Sequence, residues 1–190
     1  PDETFFRAGE TLARSGIVSF KLYFLLGLPG VTREEEVGGI ARFLRAFRER
    51  VLAVARGVGR MGAVTVVLSP FVPKPFTPLQ WAPMMHEEEL EARARGVAAA
   101  VRGVPNVRVP RERPRNQKAQ GYLGLSDRRV AADLRAAVRG RLAWSRPGCS
   151  GALASVVFRE KGAGEFLPWD VIDGGLQRSA LRARYEACLR

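Results

Sequence analysis

Apolar positions along the first half of the chain alternate between two periodicities. From Thr4 to Ser15, Phe5, Phe6, Ala8, Leu12 and Ala13 recur at helical spacing before Gly16, so the pattern predicts a helix closed by that glycine. Ile17 to Leu26 is rich in β-branched and aromatic residues and apolar almost throughout toward its end, which predicts a central parallel strand buried on both faces. Gly27-Leu28-Pro29-Gly30 ends that strand, because the glycines admit unusual backbone angles and Pro29 offers no ladder donor. Thr32-Arg33-Glu34-Glu35 is a capping-box pattern. It opens a helix whose Val37, Ile40, Ala41, Phe43, Leu44, Phe47, Val51, Leu52 and Val54 face a core as far as Gly57 and Gly59. A second strand follows from Ala63 to Ser69, completing a βαβ unit with a right-handed crossover and parallel strands.

Beyond it the pattern changes character. Pro70 to Pro78 holds four prolines in nine positions and predicts a rigid, extended loop leading to Leu79-Gln80-Trp81-Ala82-Pro83. Glu87 to Val101 reads as a helix with acids first and arginines later, matching the helix dipole, and Gly103 closes it. Asn106 to Pro110 alternates like a strand, and Arg111 to Gln120 reads as a basic loop. A helix is expected from Asp127 to Leu142 and a short one from Leu181 to Leu189. Cys149 to Phe158 stays open between helix and strand, since Ala and Val send opposite signals.

Composition narrows the class. With 46% hydrophobic and 26% charged residues in 190, the chain suits one ordinary globular unit, and no apolar stretch approaches the roughly 18 to 20 residues that cross a bilayer. A cytoplasmic location and no membrane partner are expected. The chain opens on Pro1 without a signal-peptide pattern, which reads as an internal start and therefore as a piece of a longer protein. The net charge of +12 favours a polyanion, making RNA a candidate partner; arginine beside abundant alanine and glycine is also what GC-rich coding produces. Cys149 and Cys188 form no CxxC pair, and His86 is the lone histidine, so neither a zinc signature nor a multi-histidine metal site is present.

Lys21-Leu22-Tyr23-Phe24-Leu25-Leu26-Gly27-Leu28-Pro29-Gly30 and Ser69-Pro70-Phe71-Val72-Pro73-Lys74-Pro75-Phe76-Thr77-Pro78-Leu79-Gln80-Trp81-Ala82-Pro83 together resemble late barrel strands of radical S-adenosylmethionine (radical SAM) proteins. Phe166 to Asp173, with its Pro168-Trp169-Asp170, and Ser126-Asp127-Arg128-Arg129-Val130 are similar to segments of the branch in which a cobalamin-binding-like domain precedes the barrel. The resemblance runs from Lys21 to about Tyr185. It implies an α/β fold: the C-terminal portion of a radical SAM, partial TIM-type barrel with parallel strands over 1–104, then a mostly helical extension over 105–190.

The resemblance also implies a site. Leu26, Gly27, Leu28 and Pro29 would line one side of the adenosine moiety of S-adenosylmethionine, and Val67, Leu68, Ser69 and Pro70 another. The C-terminal ends of barrel strands, where both groups are expected, are where barrel ligands sit. Lys74, on a stiff Pro-Lys-Pro backbone, and Trp81 are candidates to meet substrate; Trp81 reads first as an apolar plug seating the loop. Trp169 with Asp170 and Asp173 would hold substrate or clasp the barrel. The CxxxCxxC loop that binds the four-iron four-sulfur cluster is absent from this sequence, so the chain alone carries no catalytic or metal-binding residue of that chemistry. The cluster, S-adenosylmethionine and, in this branch, cobalamin belong to the parent protein. The expected partner is the missing N-terminal half of the barrel, with homodimerisation through exposed strand edges as a further expectation. The reading from another class is a basic RNA-binding module without catalysis, resting on Arg111, Arg113, Arg115 and Lys118, with Tyr122 to stack on a base.

Overall fold

The structure, a computed structural model, describes residues 2–59, 62–110, 117–140 and 155–189. In chain order its elements are α1 (Asp2–Arg14), β1 (Phe20–Leu26), α2 (Arg33–Val58), β2 (Val64–Pro70), a 3-10 turn (Pro78–Trp81), α3 (Glu87–Ala100), β3 (Val107–Arg108), α4 (Gln117–Leu125), α5 (Val130–Val138) and α6 (Arg178–Cys188). The fold is mixed α/β with an open three-stranded parallel sheet. The chain divides into two units. One is Pro1–Leu26, Val31–Ser69 and Glu88–Glu112; the other is Gly27–Gly30, Pro70–Glu87 and Arg113–Arg190.

The first unit is the sheet and its helices. Strand order is β1-β2-β3, with Val64 opposite Val107 and Thr65 opposite Arg108. The N–H of Phe20 donates to the carbonyl of Ala63 at 2.9 Å, which levels the starts of β1 and β2. Strand β1 begins three residues later than its sequence predicts, because Ile17 is used to close α1. Its N–H reaches the carbonyl of Leu12, that of Gly16 reaches Ala13, and Gly16 has φ 86°, the Schellman arrangement. Strand β3 pairs over two residues only; Asn106 precedes it with φ 65°, and Pro110 follows without a donor.

Helix α2 opens on the expected capping box: Glu35 N–H donates to Thr32 Oγ1 at 3.2 Å and Thr32 N–H to Glu35 Oε2 at 3.0 Å. It ends on Gly59 at φ 70°. Its Phe43 and Phe47 rings carry Phe6 of α1 at 5.1 and 6.5 Å, Phe20 of β1 at 5.3 Å from Phe47, and Phe24 at 5.6 Å from Phe43. Alternation then turns Lys21, Tyr23 and Leu25 to the opposite face, where Tyr23 and Leu25 are 69% and 51% exposed. The expectation that β1 is buried on both faces is therefore corrected. It is an edge strand covered by α2 on one side, and its apolar run does not carry a second helical layer.

Helix α3 joins α2 through a buried ion pair that periodicity does not announce. Arg93 Nη1 donates to Glu36 Oε2 at 3.0 Å and to the carbonyl of Val31 at 3.1 Å, while Nε donates to Glu89 Oε1 at 3.0 Å. Nearby, Gly96 lets α3 approach α2 closely, since a Cβ there would sit 3.0 Å from Val37 Cγ2.

The second unit is built from the proline loop, the C-terminal helices and the segment between α5 and α6. Phe71, Trp81, Ala82, Leu125, Leu167, Trp169, Leu181 and Tyr185 form its main core, and Met84, Tyr122 and Val157 a smaller one. Helix α4 replaces the end of the expected basic loop. Its two glycines weaken the helical signal, yet Gly121 lies where a Cβ would be 2.6 Å from Met84 Sδ, so packing selects the glycine and holds the helix. The last two residues of the helix expected to Leu142, together with Arg111, Arg113, Arg115 and Cys149, lie outside the described residues.

Replacing Arg93 with Met removes the guanidinium that faces the buried Glu36 carboxylate and is expected to cost about 3 kcal/mol. The double replacement Arg93→Met with Glu36→Leu should recover most of that loss in chemical denaturation.

Candidate functional site

The residues expected to contact adenosine lie at the C-terminal ends of β1 and β2. Leu26 is the buried last residue of β1, and Val67, Leu68 and Ser69 are half-buried near the end of β2, so two strands of equal length with level starts finish side by side. Within the second unit, Gly27 is buried with φ 78° and Gly30 follows with φ 80°, so two left-handed residues make the turn after β1. Leu28 packs on the main core of that unit, Pro29 is half-buried and Pro70 is buried.

The proline loop is anchored by one carboxamide. Gln80 is buried, and its Oε1 accepts the N–H of Phe76 at 3.1 Å and the indole N–H of Trp169 at 2.6 Å. Phe76 holds φ 59°, a left-handed angle that costs a bulky residue energy, and the Gln80 bond maintains it. Gly174 lies against its ring, where a Cβ would meet Cδ1 at 3.3 Å. Lys74 is exposed, and its carbonyl accepts the Thr77 hydroxyl at 2.8 Å. Trp81 is fully buried, 5.8 Å from the Tyr185 ring, with the guanidiniums of Arg178 and Arg182 over its own ring at 5.9 and 5.6 Å. It seats the loop in the core.

The segment around Trp169 is a clasp. Asp170 Oδ2 accepts the N–H of Leu167 at 2.8 Å and a guanidinium hydrogen bond from Arg178, whose Nη2 also donates to the carbonyl of Ala163 at 3.0 Å. Asp173 Oδ1 accepts the N–H of Gly175 at 2.9 Å. Tyr122, proposed to stack on a base, is instead buried and donates to Asp133, while Lys118 pairs with Glu87. The His86 ring stacks on Phe158 at 4.5 Å.

Sequence reasoning did not single out Gln80 or Lys161. Nothing in the spacing of either marks it, because both matter only for what folds around them. Lys161 is 4% exposed, and its Nζ has no hydrogen-bond partner among the described residues. Burial pushes its ammonium down to about 8, helped by the positive charge of Arg159 and opposed by Glu165. Arg159, with the N–H of Gly162, holds the Glu165 carboxyl down at about 2. Burial, then the bond to Glu160, pushes the Tyr185 hydroxyl up.

No family model matches the chain, and neither the curated proteins nor the solved structures contain a match to it. No helix of the described residues is long and apolar enough to cross a membrane.

The lysine shift sets a pH dependence. Between about 8 and the ordinary value of 10.5 the folded chain has released the Lys161 proton while the unfolded chain keeps it, so stability rises with pH across that window. Below it the burial penalty is present in full. Urea midpoints from pH 7 to 9.5 should climb for the native chain relative to Lys161→Met, which lacks the titrating group.

Proposed function

We propose that this chain is the C-terminal wall and closure of a radical SAM enzyme, whose parent reductively cleaves S-adenosylmethionine either to generate a carbon-centred radical on its substrate or to transfer a methyl group through cobalamin. The observation that carries the reading is the one-sided layering of the sheet. A doubly wound sheet places helices on both faces, whereas a barrel wall places them on one and turns the other inward. Here α2 covers the face of β1 that carries Phe20 and Phe24, α1 and α3 pack on α2, and the face carrying Lys21, Tyr23 and Leu25 is bare. The two segments that carry the resemblance leave the same end of adjacent strands, where barrel ligands bind.

In this reading Gly27, buried and left-handed after β1, offers main chain rather than side chain to a flat ring, and Ser69, near the end of β2, offers a hydroxyl. Leu26, Leu28, Pro29, Val67, Leu68 and Pro70 add apolar surface. When bound in the parent, S-adenosylmethionine supplies the radical precursor and the cluster its electron. With two cysteines in all, this chain does not provide the three thiolates such a cluster takes. The N-terminal half of the barrel provides them in this reading, its last strand pairing with the free edge of β1.

Anaerobic reconstitution of the parent should incorporate about four irons per chain and release 5′-deoxyadenosine under dithionite. No cluster and no release would overturn the proposal and move the first trial to salt-dependent RNA binding. The isolated 190-residue chain is expected to pair through its open β1 edge, giving a dimer by light scattering that a Tyr23→Pro substitution disrupts. A monomeric native chain contradicts that pairing.

A further inference from the structure

Of the four lysines, Lys21, Lys74, Lys118 and Lys161, only the last is buried. Its Nζ and the Nε1 of Trp81 are two buried donors that find no acceptor among the described residues. The main-chain N–H of Lys161 donates to the carbonyl of Trp81 at 2.8 Å, so both side chains leave one backbone junction.

The acids of the surrounding segment are all committed elsewhere. Glu160 Oε1 accepts the Tyr185 hydroxyl at 2.7 Å, and Glu165 takes Arg159 and the N–H of Gly162. Asp170 takes Arg178 and the N–H of Leu167, and Asp173 takes the N–H of Gly175. Arg178 and Arg182 lie over the Trp81 ring and add positive potential there. Glu165 acts on Lys161 through space only, and a buried ammonium without a hydrogen-bonded counter-charge is a costly arrangement for a core to hold.

We propose that the junction of Lys161 and Trp81 is a binding site for a small organic carboxylate, the ammonium pairing with the anion and the indole N–H donating to it. The single ammonium charge matches a carboxylate monoanion, and its three N–H groups together with the indole N–H can meet both oxygens. A phosphate dianion would bring a second negative charge with no free cation to meet it, since Arg159 and Arg178 are engaged and Arg182 bonds Glu186 at 2.8 Å. A single water would satisfy the hydrogen bonds and leave the charge unpaired. The site lies within the second unit and does not depend on the radical SAM reading.

The test uses the full chain with ¹³C-labelled lysine and ¹⁵N-labelled indole, titrated with sodium acetate, sodium chloride and sodium phosphate at matched ionic strength. Acetate is expected to shift the Lys161 Cε and Trp81 indole resonances saturably with one shared midpoint, to raise the pH at which Lys161 titrates, and to raise the Tm. Lys161→Met, at least as stable as the native chain without acetate, should lose the acetate-specific rise in Tm. Equal responses to acetate and chloride, a phosphate response matching that of acetate, or an acetate effect retained in Lys161→Met would overturn the proposal. Should the variant fail to fold, the two native-chain resonances decide: no shift, or shifts with different midpoints, overturns it.

Discussion

Phe43 and Phe47 stand one turn apart on α2, and two other elements rest on them. Phe6 of α1 packs against both, and β1 packs through Phe24 on the first and Phe20 on the second. Aromatic contacts of this kind carry large buried area and a preferred edge-to-face geometry, seen here between Phe20 and Phe47 at 86°. Because strand and helix share one ridge, α2 cannot slide without unpacking both. On its other contacts α2 meets α3, where Arg93 is fixed by Glu36, Glu89 and the carbonyl of Val31. The helices thus share one side of the sheet, and the other face of β1 is left to solvent or to further chain.

The second unit follows a different logic. Its central loop is proline-rich and forms few main-chain ladders of its own, so order comes from side chains that satisfy isolated main-chain groups. Gln80 serves Phe76 and Trp169 at once, and Asp170 serves Leu167 and Arg178. Trp81 and Tyr185 fill the space between. Among the buried side-chain atoms of this unit that find no partner among the described residues, the ammonium of Lys161 is the one that carries a charge, so its solvent-shielded position is the most costly.

These arrangements also separate two meanings of a motif. Pro168-Trp169-Asp170 carries a large apolar ring beside a carboxylate, a combination able to hold a ligand. The indole is buried against Gln80, and the carboxylate is taken up by main chain and arginine, so the segment acts as a clasp. Tyr122 makes the same point, because an aromatic beside a basic run is free to stack only if folding leaves it exposed, and here it is buried on Asp133.

The sequence by itself determined the elements whose signals are local. The capping box at Thr32, the glycine stop at Gly59, the β-branched run of β2 and the acidic start of α3 depend on neighbours within a few residues, and each lies where periodicity and end chemistry put it. The strand end at Leu26 was legible for the same reason, while β2 runs one residue past the expected Ser69, to Pro70. Tertiary structure alone decided the rest. That β1 is an edge strand with one bare face depends on how many layers pack on it, which an apolar run does not encode. That Gly121 belongs to a helix depends on Met84, thirty-odd residues earlier, and that Arg93 and Lys161 are buried, one hydrogen-bonded to acids and one not, depends on which acids the fold brings near and which it has already engaged elsewhere. Charge, unlike hydrophobic period, acts through whatever partner three-dimensional packing supplies, and so is read only once the chain has folded.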